Sequence, residues 1–156
     1  MHTSIRPLVE SDAYTSVKWR NIPEIWNMTE YQPDRTVTLD DELAWIRKVL
    51  VDDSSRRFAI IVDAVYIGNI YLTGISNDMA EYHIFIGETA YWGKGIAKKA
   101  SEILLSYAKN TLGLAKVFLR VHEKNEAAIA LYKKLGFQKR SVNSNFVKME
   151  ISLRGY

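Results

Sequence analysis

One segment constrains this chain more than any other: a change of apolar period across a pair of glycines. Glu81 to Ile86 reads as an extended strand closed by Gly87. From Ile96 onward, apolar residues recur at Ala100, Ile103, Leu104, Tyr107 and Ala108, which is the stripe of an amphipathic helix. Between the two lies Tyr91-Trp92-Gly93-Lys94-Gly95-Ile96-Ala97. Two residues without side chains let a ligand approach the backbone closely. The first N–H groups of the following helix have no internal partner and sit at the positive end of its dipole. Such a turn receives phosphate oxygens. It matches neither a Walker A loop nor the three-glycine dinucleotide fingerprint, and two glycines before a helix more often make only a tight turn.

The rest of the chain supplies a mixed α/β order. Ile5 to Leu8 reads as a first strand, and Ser11 is placed to cap a helix through Val17 and Trp19. Residues 21–38, polar and proline-containing, read as a mobile or partly helical connection. Leu39 opens a second helix with Leu43, Ile46 and Leu50 at helical spacing. Phe58–Val62, Tyr66–Thr73 and Glu81–Ile86 read as an antiparallel meander, with Gly68 marking a bulge. After the Ile96 helix come a strand at Lys116–Val121, a helix opened by Asn125 and stopped at Gly136, and a closing strand from Phe146 to Leu153. No repeat or linker interrupts this order, so the expectation is one domain over residues 1–156.

Composition excludes several classes. The 156 residues are 47% apolar and 25% charged, enough to build a packed core and unlike a disordered chain. With no cysteine, there is no disulfide framework, thiolate metal site or cysteine nucleophile. No metal is expected. The net charge of +3 is spread over short clusters such as Lys98-Lys99 and Lys133-Lys134, without a dense basic stripe or a nucleic-acid reading motif. Neither a signal-type apolar stretch nor an apolar run of membrane-spanning length occurs, so a cytoplasmic protein without membrane or nucleic-acid partners is expected.

A second string follows the glycine turn: Asn125-Glu126-Ala127-Ala128-Ile129-Ala130-Leu131-Tyr132-Lys133-Lys134-Leu135-Gly136-Phe137. Together, the stretch from Glu81 to Phe137 resembles the coenzyme A core of the Gcn5-related N-acetyltransferases (GNAT). The family's Gln/Arg-x-x-Gly-x-Gly/Ala motif aligns with residues 92–97, with Trp92 departing at its first position. The resemblance implies an α/β fold of the α+β type: a twisted, mixed, mostly antiparallel sheet of six to seven strands flanked by about four helices. It also implies acetyl-coenzyme A as co-substrate and direct attack by an amine in a ternary complex. On this reading Ile84, Phe85 and Ile86 pair with the pantetheine arm and supply a backbone donor to the thioester. Gly93, Lys94, Gly95, Ile96, Ala97 and Lys98 receive the phosphates, Asn125 contacts the cofactor, and Tyr132 protonates the departing thiolate. Taken by themselves, Asn125 is a good helix N-cap and Tyr132 a packed aromatic.

Two further roles stay open. Glu81 and His83 lie two apart on one strand face and are proposed as the base, Glu81 first. A strand-end ion pair and a hydrogen-bonded core histidine account for them equally well. Trp19, Arg20, Asn21 and Tyr31, ahead of a Leu-x-x-Glu-x-x-Trp-Ile helix, resemble acetyltransferases of nucleotide-linked amino sugars, which implies acceptor-binding roles; the alternative is that the aromatics pack helices onto the sheet. The expected partner is therefore a small amine, nucleotide-linked on this reading. The alternatives are a polyamine, a protein N-terminus, or acyl-coenzyme A binding without turnover. A monomer and a homodimer fit equally.

Overall fold

The computed structural model describes residues 1–31 and 33–156. Seven strands form one sheet: β1 (Thr3–Pro7), β2 (Arg56–Val62), β3 (Val65–Ser76), β4 (Met79–Ile86), β5 (Lys116–His122), β6 (Gln138–Asn143) and β7 (Phe146–Ser152). Their order is β1-β2-β3-β4-β5-β7-β6. Every neighbouring pair is antiparallel except β4 with β5, which the chain joins through a helix, as a parallel crossover requires. The expected sheet is present at the upper strand count.

Five helices flank it: α1 (Ala13–Arg20), α2 (Pro23–Trp26), α3 (Leu39–Leu50), α4 (Ile96–Asn110) and α5 (Glu126–Leu135). On one face, Ile96, Ala100, Leu104 and Ala108 of α4 close over Ile60, Leu72, Val117, Leu119 and Met149, all 2% exposed or less. On the other face, two smaller clusters lie under α1–α3: one around Ile46 and Ala59, the other around Trp19, Trp26 and Phe85. The face under α4 is apolar along the middle strands, whereas the other face also carries Glu81, His83 and Arg120. Among the described residues, no helix is long and apolar enough to cross a membrane.

Local departures from the sequence reading have physical causes. Ser11 does not cap α1: residues Glu10–Asp12 form a 3-10 turn, where Asp12 holds the Val9 N–H and the Arg6 guanidinium. α3 is capped instead by Thr38, whose hydroxyl accepts from the Asp41 N–H while Asp41 accepts from the Thr38 N–H. The connection at 21–38 contains α2, opened by Pro23; Gln32 within it lies outside the described residues. A bulge falls between Ile60 and Ile61, opposite Gly68. β6 had no sequence signal because all six residues are exposed and unpatterned. It is an edge strand that carries Lys139 and Arg140, a common protection against edge-to-edge pairing.

Candidate active site

The site begins where the sheet opens. β4 and β5 pair only from Met79–Glu81 to Lys116–Phe118. Beyond that point β4 stays on β3 through Ile86, and β5 stays on β7 through His122. The two strands part, and the backbone of residues 82–86 loses its neighbour on one side. The Gly87 N–H bonds the Ile67 carbonyl of β3 at 2.8 Å, so by strand alternation Ile84 and Ile86 present their N–H and C=O groups to the opening. A cavity of about 260 Å³ lies along this opening, lined by Ile84, Phe85, Ile86, Gly93, Ala97, Asn125 and Tyr132.

The glycine turn stands at one end of that cavity. Gly93 and Gly95 have φ of 73° and 78°, a left-handed conformation that L side chains rarely adopt. Gly95 is the N-cap of α4 and supplies no side-chain cap, so the first N–H groups of the helix remain available. Lys94, Lys98 and Lys99 add positive charge, Lys98 sharing a 3.4 Å contact with Glu102. These uncapped donors, the lysines and the unpaired edge of β4 form a donor set suited to a pyrophosphate joined to an amide-bearing arm. Trp92 has its own place: its indole N–H donates to the Ile86 carbonyl at 3.0 Å, on the open side of β4.

Tyr132 sits deeper. It is buried, and burial pushes its hydroxyl up to about 12, so it keeps its proton at neutral pH. Its ring packs edge-on against Tyr82 and Phe137 at 5.7 and 5.8 Å. The Tyr82 hydroxyl lies 2.6 Å from the Ser101 hydroxyl. The Asn125 carbonyl oxygen caps α5 by accepting the Ala128 N–H at 3.3 Å, which leaves its amide N–H₂ for a ligand. Asn125 and Tyr132 both line a second cavity, also about 260 Å³, which lies against the first and contains Glu81 and His83.

In that second cavity Glu81 is held by Arg120 at 3.1 and 3.4 Å, and Arg120 also reaches Glu30 at 3.3 Å. His83 lies 4.0 Å from Glu81 and accepts or donates at Nε2 with the Thr73 hydroxyl at 2.8 Å. Burial lowers its pKa to about 4, with the Arg57 and Arg120 charges adding to the fall and Glu81 opposing it, so the ring is neutral at pH 7. Its ring stacks on Tyr71 at 4.8 Å, and the Arg57 guanidinium lies over the Tyr71 ring at 4.4 Å. Arg57, Tyr71 and His83 are cross-strand partners on β2, β3 and β4 and form one continuous row.

The four residues expected at the acceptor do not all reach the cavity. Trp19 is fully buried, lines no cavity, and donates its indole N–H to Glu88 at 2.8 Å. Its ring fills the space where a Gly87 side chain would be, so it positions α1 against the end of β4 from beneath. Asn21 ties α1 to the connection through Val17 and Val37 and lines a further cavity of about 370 Å³ beside Arg20 and Trp26. Arg20 and Tyr31 do line a larger cavity of about 530 Å³, together with Trp26, Trp45 and Tyr71. Arg20 is paired with Glu42 at 3.2 Å and lies over Trp26 and Tyr31. Tyr71, Arg57 and Arg120 were not legible as site residues. The one available signal was the outward phase of Arg57, Tyr71 and His83 on three successive strands, and it needs the register to become visible.

Residues 2–138 match the acetyltransferase (GNAT) domain family. A spermidine N(1)-acetyltransferase of Escherichia coli (strain K12) is 38% identical over 92 residues, covering 58% of this chain and 49% of that protein. The matched stretch thus spans about half the length of that relative. The human alpha/beta-tubulin-N-acetyltransferase 9 is 28% identical over 153 residues, covering 88% of this chain and 71% of that protein. The crystal structure of a spermidine N-acetyltransferase from Vibrio cholerae in complex with CoA and spermine superposes with a TM-score of 0.87 at 24% identity, over 97% of this chain and 96% of that one. At this identity the likeness is one of fold.

Proposed function

The chain belongs to the acetyltransferase (GNAT) family, and from that premise we propose that it transfers an acetyl group from acetyl-coenzyme A to a primary amine by direct attack. The observation that carries this reading is the position of Tyr132. It lines both the cavity along the parted strands and the cavity with Glu81 and His83, at the one place where a thioester and an amine would meet. In this arrangement the α4 N-terminus and the glycine turn hold the pyrophosphate, and the open edge of β4 pairs with the pantetheine arm. Acetyl-coenzyme A supplies an activated acyl group, and no covalent acyl-enzyme is needed.

The residues then divide the remaining work. A backbone N–H at Ile84 or Ile86 faces the opening and stabilises the oxyanion that forms on the thioester carbonyl. Tyr132, still protonated at neutral pH, donates to the sulfur as the C–S bond breaks. The amine arrives as an ammonium and must lose a proton before attack, and a second proton as its nitrogen becomes an amide. Glu81 is the first proposed acceptor of these protons and His83 the second, directly or through water. The lowered pKa of His83 makes it the weaker acceptor of the two.

The relatives are named for spermidine and for tubulin, none of the three for a nucleotide-linked sugar. For the acceptor, most carboxylates around the cavities are already paired, and Asp34 on the lining of the larger one has no ion pair among the described residues. Glu81 and Glu30 share Arg120, Glu42 is on Arg20 and Asp41 is on Arg35. The aromatic walls at Trp26, Tyr31, Trp45 and Tyr71 favour an acceptor with a ring or other flat part, as a nucleotide-linked amino sugar has. The test is thiol release from acetyl-coenzyme A against amino sugars, polyamines and peptides, with Tyr132→Phe in parallel. Turnover on an amine that falls about 10²-fold or more in kcat in the variant, with cofactor affinity retained, supports the reading. Cofactor binding with no thiol release on any amine would replace it with a binding module.

A further inference from the structure

Arg120 touches the first proposed proton acceptor and has no role in the chemistry just described. Its Nε donates to one oxygen of Glu81 at 3.1 Å, and a terminal nitrogen donates to the other at 3.4 Å. The second terminal nitrogen reaches Glu30 at 3.3 Å. One guanidinium therefore joins three elements: β5, which carries it, β4, which carries Glu81, and the connection between α2 and α3, which carries Glu30. All three residues line the cavity that also contains His83, Asn125 and Tyr132.

The place of Arg120 follows from the parting of the strands. Glu81 and Phe118 are the last paired residues of β4 and β5. Arg120 is two positions beyond Phe118, on the same face, where β5 has already left β4. Its side chain thus spans the head of the cleft, back to the last paired residue of β4. Its cross-strand partner on β7 is Lys148, and like charges placed opposite each other cost stability. The two charges turn apart: Lys148 lies over the Phe118 ring at 4.8 Å and 3.7 Å from Glu150. With 47% of its side chain exposed, Arg120 gains little folding stability from its ion pairs. Its contacts bear instead on how Glu81, 16% exposed, presents its oxygens to the cavity.

We propose that Arg120 is a positioning residue for acetyl transfer: it holds the Glu81 carboxylate at the head of the cleft, ready for the acceptor's proton. The proposal rests on the acetyl-transfer reading, with Glu81 as the first base. A two-point guanidinium contact fixes the plane of the carboxylate, and each oxygen keeps further capacity to accept a hydrogen bond. When the ammonium gives its proton to a Glu81 oxygen, the N–H electron pair stays on nitrogen as the attacking pair. Glu81 is then neutral, and Glu30 remains as the counter-charge of Arg120. Proton transfer therefore does not leave a bare guanidinium behind. Glu30 is itself kept in place by Thr29, whose hydroxyl donates to the Trp26 carbonyl at 2.9 Å and accepts the Tyr31 N–H at 3.2 Å.

The experiment measures steady-state acetyl transfer to the amine that the wild type turns over. It compares wild type, Arg120→Ala, Arg120→Lys, Glu81→Gln and the double variant Arg120→Ala with Glu81→Gln. Arg120→Ala is expected to lower kcat about 10-fold with little change in the KM for acetyl-coenzyme A, because a misplaced base costs rate and not cofactor binding. Arg120→Lys, which keeps the charge without the fork, is expected to fall about 3-fold. Guanidinium chloride on the order of tens of millimolar should restore part of kcat in Arg120→Ala, and potassium chloride at the same ionic strength should not. In the Glu81→Gln background, Arg120→Ala should cost less than about 2-fold more, since it acts through Glu81. A purely structural role would give neither the rescue nor that non-additivity. An unchanged kcat in Arg120→Ala, no rescue by guanidinium, or losses that multiply in the double variant overturns the proposal and leaves acetyl transfer standing. No thiol release from wild type on any amine refutes acetyl transfer itself, and the role of Arg120 with it. Thermal unfolding identifies any variant that fails to fold; if Arg120→Ala does, Arg120→Lys in the wild-type and Glu81→Gln backgrounds decides by the same non-additivity.

Discussion

Gly87→Ala tests the packing beneath the site most directly. A Cβ built on Gly87 falls 2.1 Å from one Trp19 ring carbon and 2.4 Å from two others. Ordinary carbon–carbon contact is about 3.5–4.0 Å, so ring and methyl must separate by roughly 1.5 Å. Trp19 has nowhere easy to go. It is fully buried, with Tyr66 at 4.8 Å and Phe85 at 6.0 Å across its faces. Overpacking of this kind costs about 1–3 kcal/mol. Moving the ring also breaks its hydrogen bond to the Glu88 carboxylate at 2.8 Å, which is worth about 1.5–3 kcal/mol. A loss of about 3 kcal/mol is expected, lowering Tm by roughly 6–12 °C for a chain of this size. Urea and thermal unfolding by circular dichroism measure it. The double variant with Trp19→Leu should recover part of the loss, because removing the ring removes the clash, so the two changes are non-additive. A Tm shift below about 2 °C for Gly87→Ala, or strict additivity in the double variant, would refute the wedge.

Asn125 separates its two roles by substitution. Asn125→Ser keeps the oxygen that caps α5 and should leave stability within about 0.5 kcal/mol, while Asn125→Ala should cost about 1 kcal/mol; both should weaken coenzyme A binding in calorimetry if the free amide donates to the cofactor. His83 gives a pH signature. Its folded pKa, lowered to about 4, lies below the unfolded value of about 6.5, so the unfolded chain binds the extra proton between those pH values. Stability should therefore rise with pH from about 4 to about 6.5, and be lost as pH falls through that window. Unfolding of His83→Gln across the same range should show a flatter acid limb, and an unchanged limb would mean that His83 is not buried in its neutral form.

The local signals in the sequence were strong where chemistry and backbone coincide. Gly93 and Gly95 between a strand and an apolar stripe announced a left-handed turn ahead of a helix, and the φ values show why glycine stands there. Asn125 announced a helix start, and the same side chain also reaches the lining of both smaller cavities. The order of elements apart from β6 was likewise legible from period, while the mixed sheet was what the resemblance implied. Trp19 shows the limit of such reading. An aromatic beside an arginine and an asparagine has the composition of a binding site, yet it is spent filling the space opposite a glycine 68 positions later.

What the sequence by itself determined is therefore the part written in neighbouring residues: the glycine turn, the Asn125 cap, helix stripes and the string that carries Tyr132. Only the tertiary structure decided which strands would part, and that one separation turns a sheet into a cleft with Tyr132 at its centre. It likewise decided that Arg57, Tyr71 and His83, separated by 14 and 12 positions in the chain, become a single row. The physical reason is register. A strand's alternation says which residues share a face, but only pairing with a neighbour says which of them stand side by side, and charge and ring contacts depend on that second fact.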